Sequence, residues 1–179
     1  GSRIVTLVIA MLLDAALGEP RWLWNSIPHP AVLMGRLIGW CDARFNRGDS
    51  KQLMGLLTLL GLCLCAGLSG WLIQLLPTSI LDIVILAILL AQKSLVEHVQ
   101  AVANALRLSL GDARKSVAMI VGRDTRTMDE PAVARSAIES AAENLSDGVI
   151  APIFWFAIAG LPGLLIYKIT NTADSMIGY

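Results

Sequence analysis

Charge is scarce in this chain of 179 residues. Charged side chains make up 16% of it, and none occurs from Gln52 to Leu81 or from Val149 to Tyr167. Hydrophobic residues account for 55%, and the mean hydropathy is +0.66, well above that of an ordinary soluble domain. A run of about 20 apolar residues is long enough to cross a bilayer as a helix. The composition therefore predicts an all-α integral membrane protein.

Other features are missing as well. Lys and Arg form no cluster with aromatic residues between them, and the net charge is zero, which argues against a nucleic-acid partner. Cys41, Cys63 and Cys65 lack the spacing of a zinc site or a disulfide framework, so they are interpreted as small apolar residues. No Walker-type loop, dinucleotide fingerprint or nucleophile elbow is present. Any use of a nucleotide must therefore depend on an unfamiliar site.

The chain is interpreted as a single membrane domain over 3–179, because Gly1 and Ser2 resemble the remnant of a removed expression tag. The first apolar segment resembles a signal-peptide core, but it contains Asp14 and no cleavage site follows, which favours a retained helix. The breaker Pro77-Thr78-Ser79 predicts that the second and third segments form a helical hairpin. The four apolar segments are 4–17, 53–76, 80–92 and 149–167.

The basic residues predict how the chain is oriented. All Lys and Arg except Arg3 and Lys168 lie in the connecting segments 19–52 and 93–148. Because cytoplasmic segments carry the excess of basic residues, both are expected in the cytoplasm, with the N-terminus outside.

Segment 93–148 is expected to form long amphipathic helices. The apolar spacing of 80–92 continues at helical intervals to Leu110, which predicts one long helix that leaves the membrane and ends at Gly111-Asp112. Glu130-Pro131 predicts the start of a second helix, over about 132–146.

The fourth apolar segment is interrupted by Gly160-Leu161-Pro162-Gly163, and two geometries are open. Each half is about ten residues, or roughly 15 Å of helix, which is half of a bilayer core. A re-entrant hairpin would bring both ends, and Lys168 with them, to the cytoplasmic side. A kinked span would separate them, and proline and glycine are common in membrane helices.

Polar clusters flank this segment on both sides. Helical spacing places Ser136, Glu139 or Ser140, Glu143 and Asp147 on one face of a helix. Such a row of carboxylates suits Mg²⁺, although a solvated helix face has the same pattern. The downstream cluster comprises Lys168, Asn171, Thr172, Asp174 and Ser175.

Two further sites carry suitable side chains. Arg123 and Asp124 lie in a loop-like stretch, where the arginine suits a phosphate or carboxylate and the pair equally suits a local turn. His29 lies between two prolines and is either a functional imidazole or an exposed loop residue. His98, on the amphipathic helix, is interpreted as structural.

Taken together, these residues resemble the CobD/CbiB family of adenosylcobinamide-phosphate synthases. The motifs that carry the resemblance are Asp14 with GEP at 18–20, PHP at 28–30, MGR at 34–36, VGRDT at 121–125, ESAAENLSDG at 139–148, APIFW at 151–155 and YKITNTADSMIGY at 167–179. They extend over almost the whole chain.

The resemblance implies an ATP-dependent acid–amine ligase of cobalamin biosynthesis in the bacterial inner membrane. Its substrates would be adenosylcobyric acid and (R)-1-amino-2-propanol O-phosphate, with ATP and Mg²⁺. The implied catalytic residues are Glu139, Glu143, Asp124 and Lys168. The implied substrate- and phosphate-binding residues are His29, Arg123, Asn144, Asn171 and Ser175. The implied metal ligands are Glu139, Glu143, Asp147 and Asp174.

Members of that family continue well beyond the motif that ends in Gly178-Tyr179. This chain is therefore expected to be the N-terminal part of a longer one, with the bilayer, a C-terminal half or other cobalamin-assembly enzymes as partners. A membrane transporter would also use broken helices near polar residues, and a non-catalytic scaffold for cobalamin enzymes is a third possibility.

Overall fold

A computed structural model describes residues 2–17, 29–45, 47–90 and 92–177. This part of the chain is helical and contains no β-strand, as the apolar runs predict. A π-helical turn, Ser146–Ile150, joins the last two helices. The helices are α1 (Ser2–Leu17), α2 (Pro30–Phe45), α3 (Lys51–Gln74), α4 (Ile80–Leu89), α5 (Gln92–Leu108), α6 (Leu110–Ala118), α7 (Glu130–Leu145) and α8 (Ala151–Ile177).

The turn between α3 and α4 lies where the sequence predicts it, at Pro77–Ser79. The two helices nevertheless touch little: α3 packs mainly along α8, and α4 packs mainly along α1. Phe156, Leu161 and Leu164 of α8 fill the core with Leu86 and Leu90. The two helices are thus joined by the predicted turn, but they pack mainly against other helices and not against each other.

The predicted long helix through 80–110 is wrong, because it is broken at Leu90. Leu90 is extended, with φ −80° and ψ 146°, and α5 begins at Gln92. The backbone N–H of Gln92 donates to Asp14 Oδ2 of α1 over 3.0 Å, and Asp14 is only 3% exposed. A carboxylate at a helix start satisfies an N–H group that the helix itself leaves unpaired.

The predicted end at Gly111-Asp112 is also wrong, because both residues belong to the first turn of α6. Helix α5 ends at Leu108, and Ser109 caps α6. Ser109 Oγ accepts from the Asp112 N–H at 3.0 Å and donates to the Asp112 carboxylate at 2.8 Å. Ser109 thus acts as the N-cap of α6, with the Asp112 carboxylate orienting its hydroxyl, and it starts a new helix.

Helix α7 begins as predicted at Glu130, with Pro131 in its first turn and Asp129 as its cap. It packs with α5 and α6 around small apolar side chains into a separate helical layer. That core comprises Val102, Ala105, Ala113, Val117, Val133 and Ala137.

Sequence reasoning missed α2, which lies inside the predicted connecting segment 19–52 and packs against α3 and α8. Gly35 and Gly39 face Met176, which would lie 3.7 and 3.6 Å from an added Cβ. The GEP motif at 18–20 and Pro28 lie outside the described residues.

The chain reverses direction within α8, at Gly160 (φ 68°, ψ −154°). The Trp155 carbonyl oxygen lies 2.9 Å from where a Cβ on Gly163 would be, and the Tyr167 hydroxyl donates to the Asp147 carbonyl over 2.8 Å. In a straight helix residues 147 and 167 would be about 30 Å apart. Two arms, 151–159 and 161–177, therefore run antiparallel, and the second arm runs along α3.

Two helical stretches of the described chain are long and apolar enough to cross a membrane: Lys51–Gln74 and Glu130–Met176. The second contains the reversal at Gly160, so its apolar halves do not form one straight rod. Only 6% of the apolar window of α3 is buried within the protein.

Candidate functional site

The acidic residues lie along α7 and the π-turn that follows it. Glu139, Glu143 and Asp147 are all exposed, whereas Ser136 and Ser140 are buried. Ser140 Oγ donates to the Ile120 carbonyl at 3.1 Å, which fixes α7 to the segment before the loop. The predicted face is therefore split: its serines anchor the helix, and its carboxylates face outward.

The π-turn decides how the row ends. A π-helical turn adds a residue to the helical repeat, and such turns occur frequently at functional sites. It rotates Asp147 relative to the regular spacing of Glu139 and Glu143. The same turn leads directly into the first arm of α8, which starts at Ala151.

Arg123 reaches the beginning of the acidic row from the loop between α6 and α7. Its guanidinium lies 3.5 Å from Glu139 Oε2, and both side chains are largely exposed. An exposed pair of this kind contributes about 1 kcal/mol or less to stability. Arg123 is thus held near the carboxylates without being sequestered by them.

The loop that carries Arg123 is anchored at two points. Thr125 is buried and donates to the Arg114 carbonyl at 3.1 Å, while Arg114 Nε donates to the Met128 carbonyl at 2.6 Å. These bonds hold the loop against α6. The predicted loop at 121–125 is therefore confirmed, and the structure adds that it is constrained.

Asp124 points to a different partner, Arg126. Their charged groups are 2.8 Å apart. The side-chain hydrogen bond from Arg126, and then its backbone N–H, lower the pKa of Asp124. A general base works best with a pKa near the operating pH. The predicted role of Asp124 as proton acceptor stays a prediction, and this pairing favours a role in shaping the loop.

The reversal at Gly160 brings the downstream cluster back to the acidic row. The Tyr167 hydroxyl donates to the Asp147 carbonyl at 2.8 Å, which places the next residue, the half-buried Lys168, at the Asp147 end of the row. Lys168 and Arg123 therefore stand at opposite ends of a row of three carboxylates. Sequence reasoning missed Tyr167, although a tyrosine at the end of an apolar run commonly finds a partner for its hydroxyl.

The remaining predicted residues are less tightly grouped. Asn144 Nδ2 donates to Ser140 Oγ at 3.2 Å, and Ser175 Oγ donates to the Asn171 carbonyl at 3.0 Å. His29 directly precedes α2 and is half-buried. Their roles in substrate binding stay predictions.

Asp174 faces a cavity of about 360 Å³ between α2, α3 and α8, which Asp42 also lines. It is not grouped with Glu139, Glu143 and Asp147. Among the described residues, no three carboxylate, histidine or cysteine side chains are placed to hold a metal together. Mg²⁺ usually takes only one or two carboxylates, with water and phosphate oxygens completing its shell. The exposed oxygens of Glu139 and Glu143, one turn apart, fit that mode of binding.

The chain matches the sequence model of the family described as CobD/Cbib protein over residues 7–179. It belongs to this family. The chain is 50% identical to the cobalamin biosynthesis protein CobD of a Sinorhizobium species and 50% identical to that of Rhizobium meliloti. Each match covers 98% of this chain. The CobD protein of Halalkalibacterium halodurans is 42% identical over 98% of the chain. The matches cover 58%, 57% and 56% of those proteins, so the chain spans less than two thirds of their length. No solved structure gives a significant match.

Proposed function

We propose that this chain acts in cobalamin biosynthesis, as part of an ATP-dependent ligase. The ligase joins the carboxylate of adenosylcobyric acid to the amine of (R)-1-amino-2-propanol O-phosphate and gives adenosylcobinamide phosphate. The names of the relatives support the pathway, and the family resemblance supports the reaction. The observation that carries the placement of the site is the hydrogen bond from the Tyr167 hydroxyl to the Asp147 carbonyl, which brings Lys168 to the base of the α8 hairpin.

The chemistry requires two things of the protein. A carboxylate must be activated before an amine displaces its oxygen, and the amine must lose a proton before it attacks. ATP supplies the activation when it is bound. Arg123 and Lys168 neutralise phosphate oxygens from the two ends of the row, and Glu143 between them accepts the proton.

Mg²⁺ would be held by one or two of the carboxylates Glu139, Glu143 and Asp147 together with phosphate oxygens, whereas Asp174 lines the separate cavity between α2, α3 and α8. Asn144, Asn171, Ser175 and His29 orient the substrates. The carboxylates of the row can bind a metal ion, and the cations at its two ends can bind the oxygens of a phosphate on that metal.

The proposed setting of this site is the bacterial inner membrane. Helix α3 exposes leucines over its whole length, among them Leu57, Leu60 and Leu64, which a soluble protein would bury. The first arm of α8 is roughly 14 Å long, half of a bilayer core. The α8 hairpin then enters and leaves the bilayer on the cytoplasmic side. A break in a helix at membrane depth, such as that at Gly160, is tolerated when it is packed against protein.

The test is reconstitution of the full-length protein in liposomes with adenosylcobyric acid, aminopropanol phosphate, ATP and Mg²⁺. Glu143→Gln and Lys168→Ala should each lower amide formation by at least about 100-fold, since each removes an acid–base or charge-stabilising group. Product is measured by chromatography of the corrinoid.

Matched controls are available on the same cytoplasmic layer. Glu130→Gln and Lys115→Ala change exposed residues of the same type outside the row, and both should keep the wild-type rate. The proposal is wrong if folded wild-type protein forms no amide, or if the two pairs of variants behave alike.

A further inference from the structure

A polar cavity of about 410 Å³ lies at the end of the helical layer opposite the carboxylate row. It opens between the start of α1, the end of α3 and the α3–α4 turn. Its lining is mostly polar, although the surrounding helices are among the most apolar in the chain. The polar lining includes Arg3, Thr6, Gln74, Ser79 and Asp82.

Of the two charged groups in this cavity, Arg3 is anchored by a hydrogen bond, and one oxygen of Asp82 lacks a partner among the described residues. Arg3 donates to the Ile158 carbonyl of α8 at 3.0 Å, which fixes its side chain over the cavity. Asp82 Oδ1 is buried and has no hydrogen-bond partner among the described residues. A buried carboxylate oxygen without a partner costs free energy, so a ligand that donates to it would be stabilising.

The charges indicate the class of ligand. Asp82 would repel a simple anion, and Arg3 would repel a simple cation, whereas a zwitterion satisfies both. Arginine is suited to phosphate oxygens, and a carboxylate accepts hydrogen bonds from an ammonium group. The cavity is of ordinary ligand size and much too small for a corrinoid.

Apolar side chains surround the opening. Ile4, Leu76 and Ile80 are exposed at 69%, 46% and 67%. In the proposed membrane placement these residues lie at the outer boundary of the hydrocarbon, where lipid headgroups begin. We propose that the cavity binds the headgroup of a zwitterionic phospholipid with a primary ammonium, phosphate on Arg3 and ammonium on Asp82. The inference rests on the proposed membrane placement.

The experiment titrates the full-length protein in detergent with dihexanoyl-phosphatidylethanolamine and dihexanoyl-phosphatidylglycerol, and counts bound lipid by native mass spectrometry. Wild type should prefer the ethanolamine lipid. Asp82→Asn should weaken binding of that lipid about tenfold, the effect of losing a hydrogen bond to a charged group. It should not weaken binding of the anionic glycerol lipid, because the substitution removes a carboxylate that repels it. Arg3→Gln should weaken both, and Asp49→Asn, at an exposed turn, should weaken neither.

Free O-phosphoethanolamine distinguishes the lipid from a soluble ligand with the same head. It should bind far more weakly, since it lacks the chains. Equal binding of the free compound, or no preference in wild type, overturns the proposal. Flotation with liposomes separates the two inferences: protein that floats without a preference refutes the headgroup site alone, and protein that does not float refutes the membrane placement and the site with it.

Discussion

Asp14 shows how a single charged residue sets the layout of an apolar bundle. Its carboxylate, 3% exposed, accepts the N–H of Gln92 and so fixes where α5 begins relative to α1. The ammonium of Lys93 also approaches the α1 backbone, 3.4 Å from the Ala16 carbonyl. The break between α4 and α5 is thus secured by a residue 78 positions earlier in the chain.

Asp14→Ala is expected to lower the free energy of unfolding by about 1 kcal/mol or more, because loss of a side chain that caps a helix start typically has this effect. Asp14→Asn should keep most of that stability, since an amide oxygen also accepts from the helix start. Thermal unfolding in detergent, followed by circular dichroism, measures both. Asp49→Ala, at an exposed turn, should stay within about 0.5 kcal/mol of wild type. Equal stability of the Asp14→Ala and Asp49→Ala proteins would contradict this assignment.

At the scale of helices, the sequence predicted what depends on local signals. Pro131 after Asp129 marks the start of α7, and Pro77–Ser79 marks the turn after α3, because these residues act on the backbone next to them. The break at Leu90 escaped prediction because its partner, Asp14, is distant in sequence. Ser109 and Asp112 did carry a local signal for a new helix, a serine followed three residues later by an aspartate, which sequence reasoning overlooked.

In the candidate site as well, some features have a local signal in the sequence and others depend on distant contacts. The exposed row of Glu139 and Glu143 follows from helical spacing, and the loop around Arg123 follows from its composition. The burial of Ser136 and Ser140 could not be predicted, because it depends on Met128 and Ile120 packing against α7. The approach of Lys168 to Asp147 depended on which of two geometries Gly160 adopts, and spacing alone left both open.

The hairpin of α8 depends on glycines at its contact with α3. Gly160 has a positive φ, and a Cβ there would collide with the Gln74 side chain. A Cβ on Gly70 would lie 2.7 Å from the Pro162 backbone nitrogen. Close packing of backbone against backbone is a common use of small residues between membrane helices.

Gly160→Ala and Gly70→Ala should therefore each destabilise the protein. At φ 68° and ψ −154°, Gly160 occupies a region that is essentially restricted to glycine, and a residue with a Cβ there costs about 1–3 kcal/mol. Overpacking at Gly70 costs about 1–3 kcal/mol. Gly61→Ala is the matched control, because no atom lies within 4 Å of its added Cβ, and it should be neutral or slightly stabilising. Midpoints of thermal unfolding in detergent compare the three, and a Gly61→Ala protein as unstable as the others would show that helix contact is not the cause.

Across the whole molecule, the proposed ligase site and the proposed headgroup cavity lie at opposite ends of the bundle. The carboxylate row, Lys168 and the small-residue core of α5, α6 and α7 belong to one end. Arg3, the α3–α4 turn and Gly160 belong to the other, as the contacts of Arg3 with Ile158 and of Gly160 with Gln74 indicate. The residues that precede and follow the apolar segment 149–167 therefore lie at the same end of the bundle, because the chain reverses at Gly160.

That arrangement predicts a labelling pattern. In a protein without its native cysteines, single cysteines at Ser146 and Ser175 should react with an impermeant maleimide from the same side of the membrane, the cytoplasmic one. Both side chains are exposed, unlike Ser140, so reactivity reports on sidedness and is not limited by burial. A cysteine at Ser79, in the α3–α4 turn, should react only from the opposite side. Inverted vesicles and intact cells supply the two accessible faces. A straight span through 149–167 would move Ser175 to the side of Ser79. Labelling of Ser146 and Ser175 from opposite faces would therefore contradict the re-entrant hairpin. It would also contradict a site that joins Asp147 to Lys168.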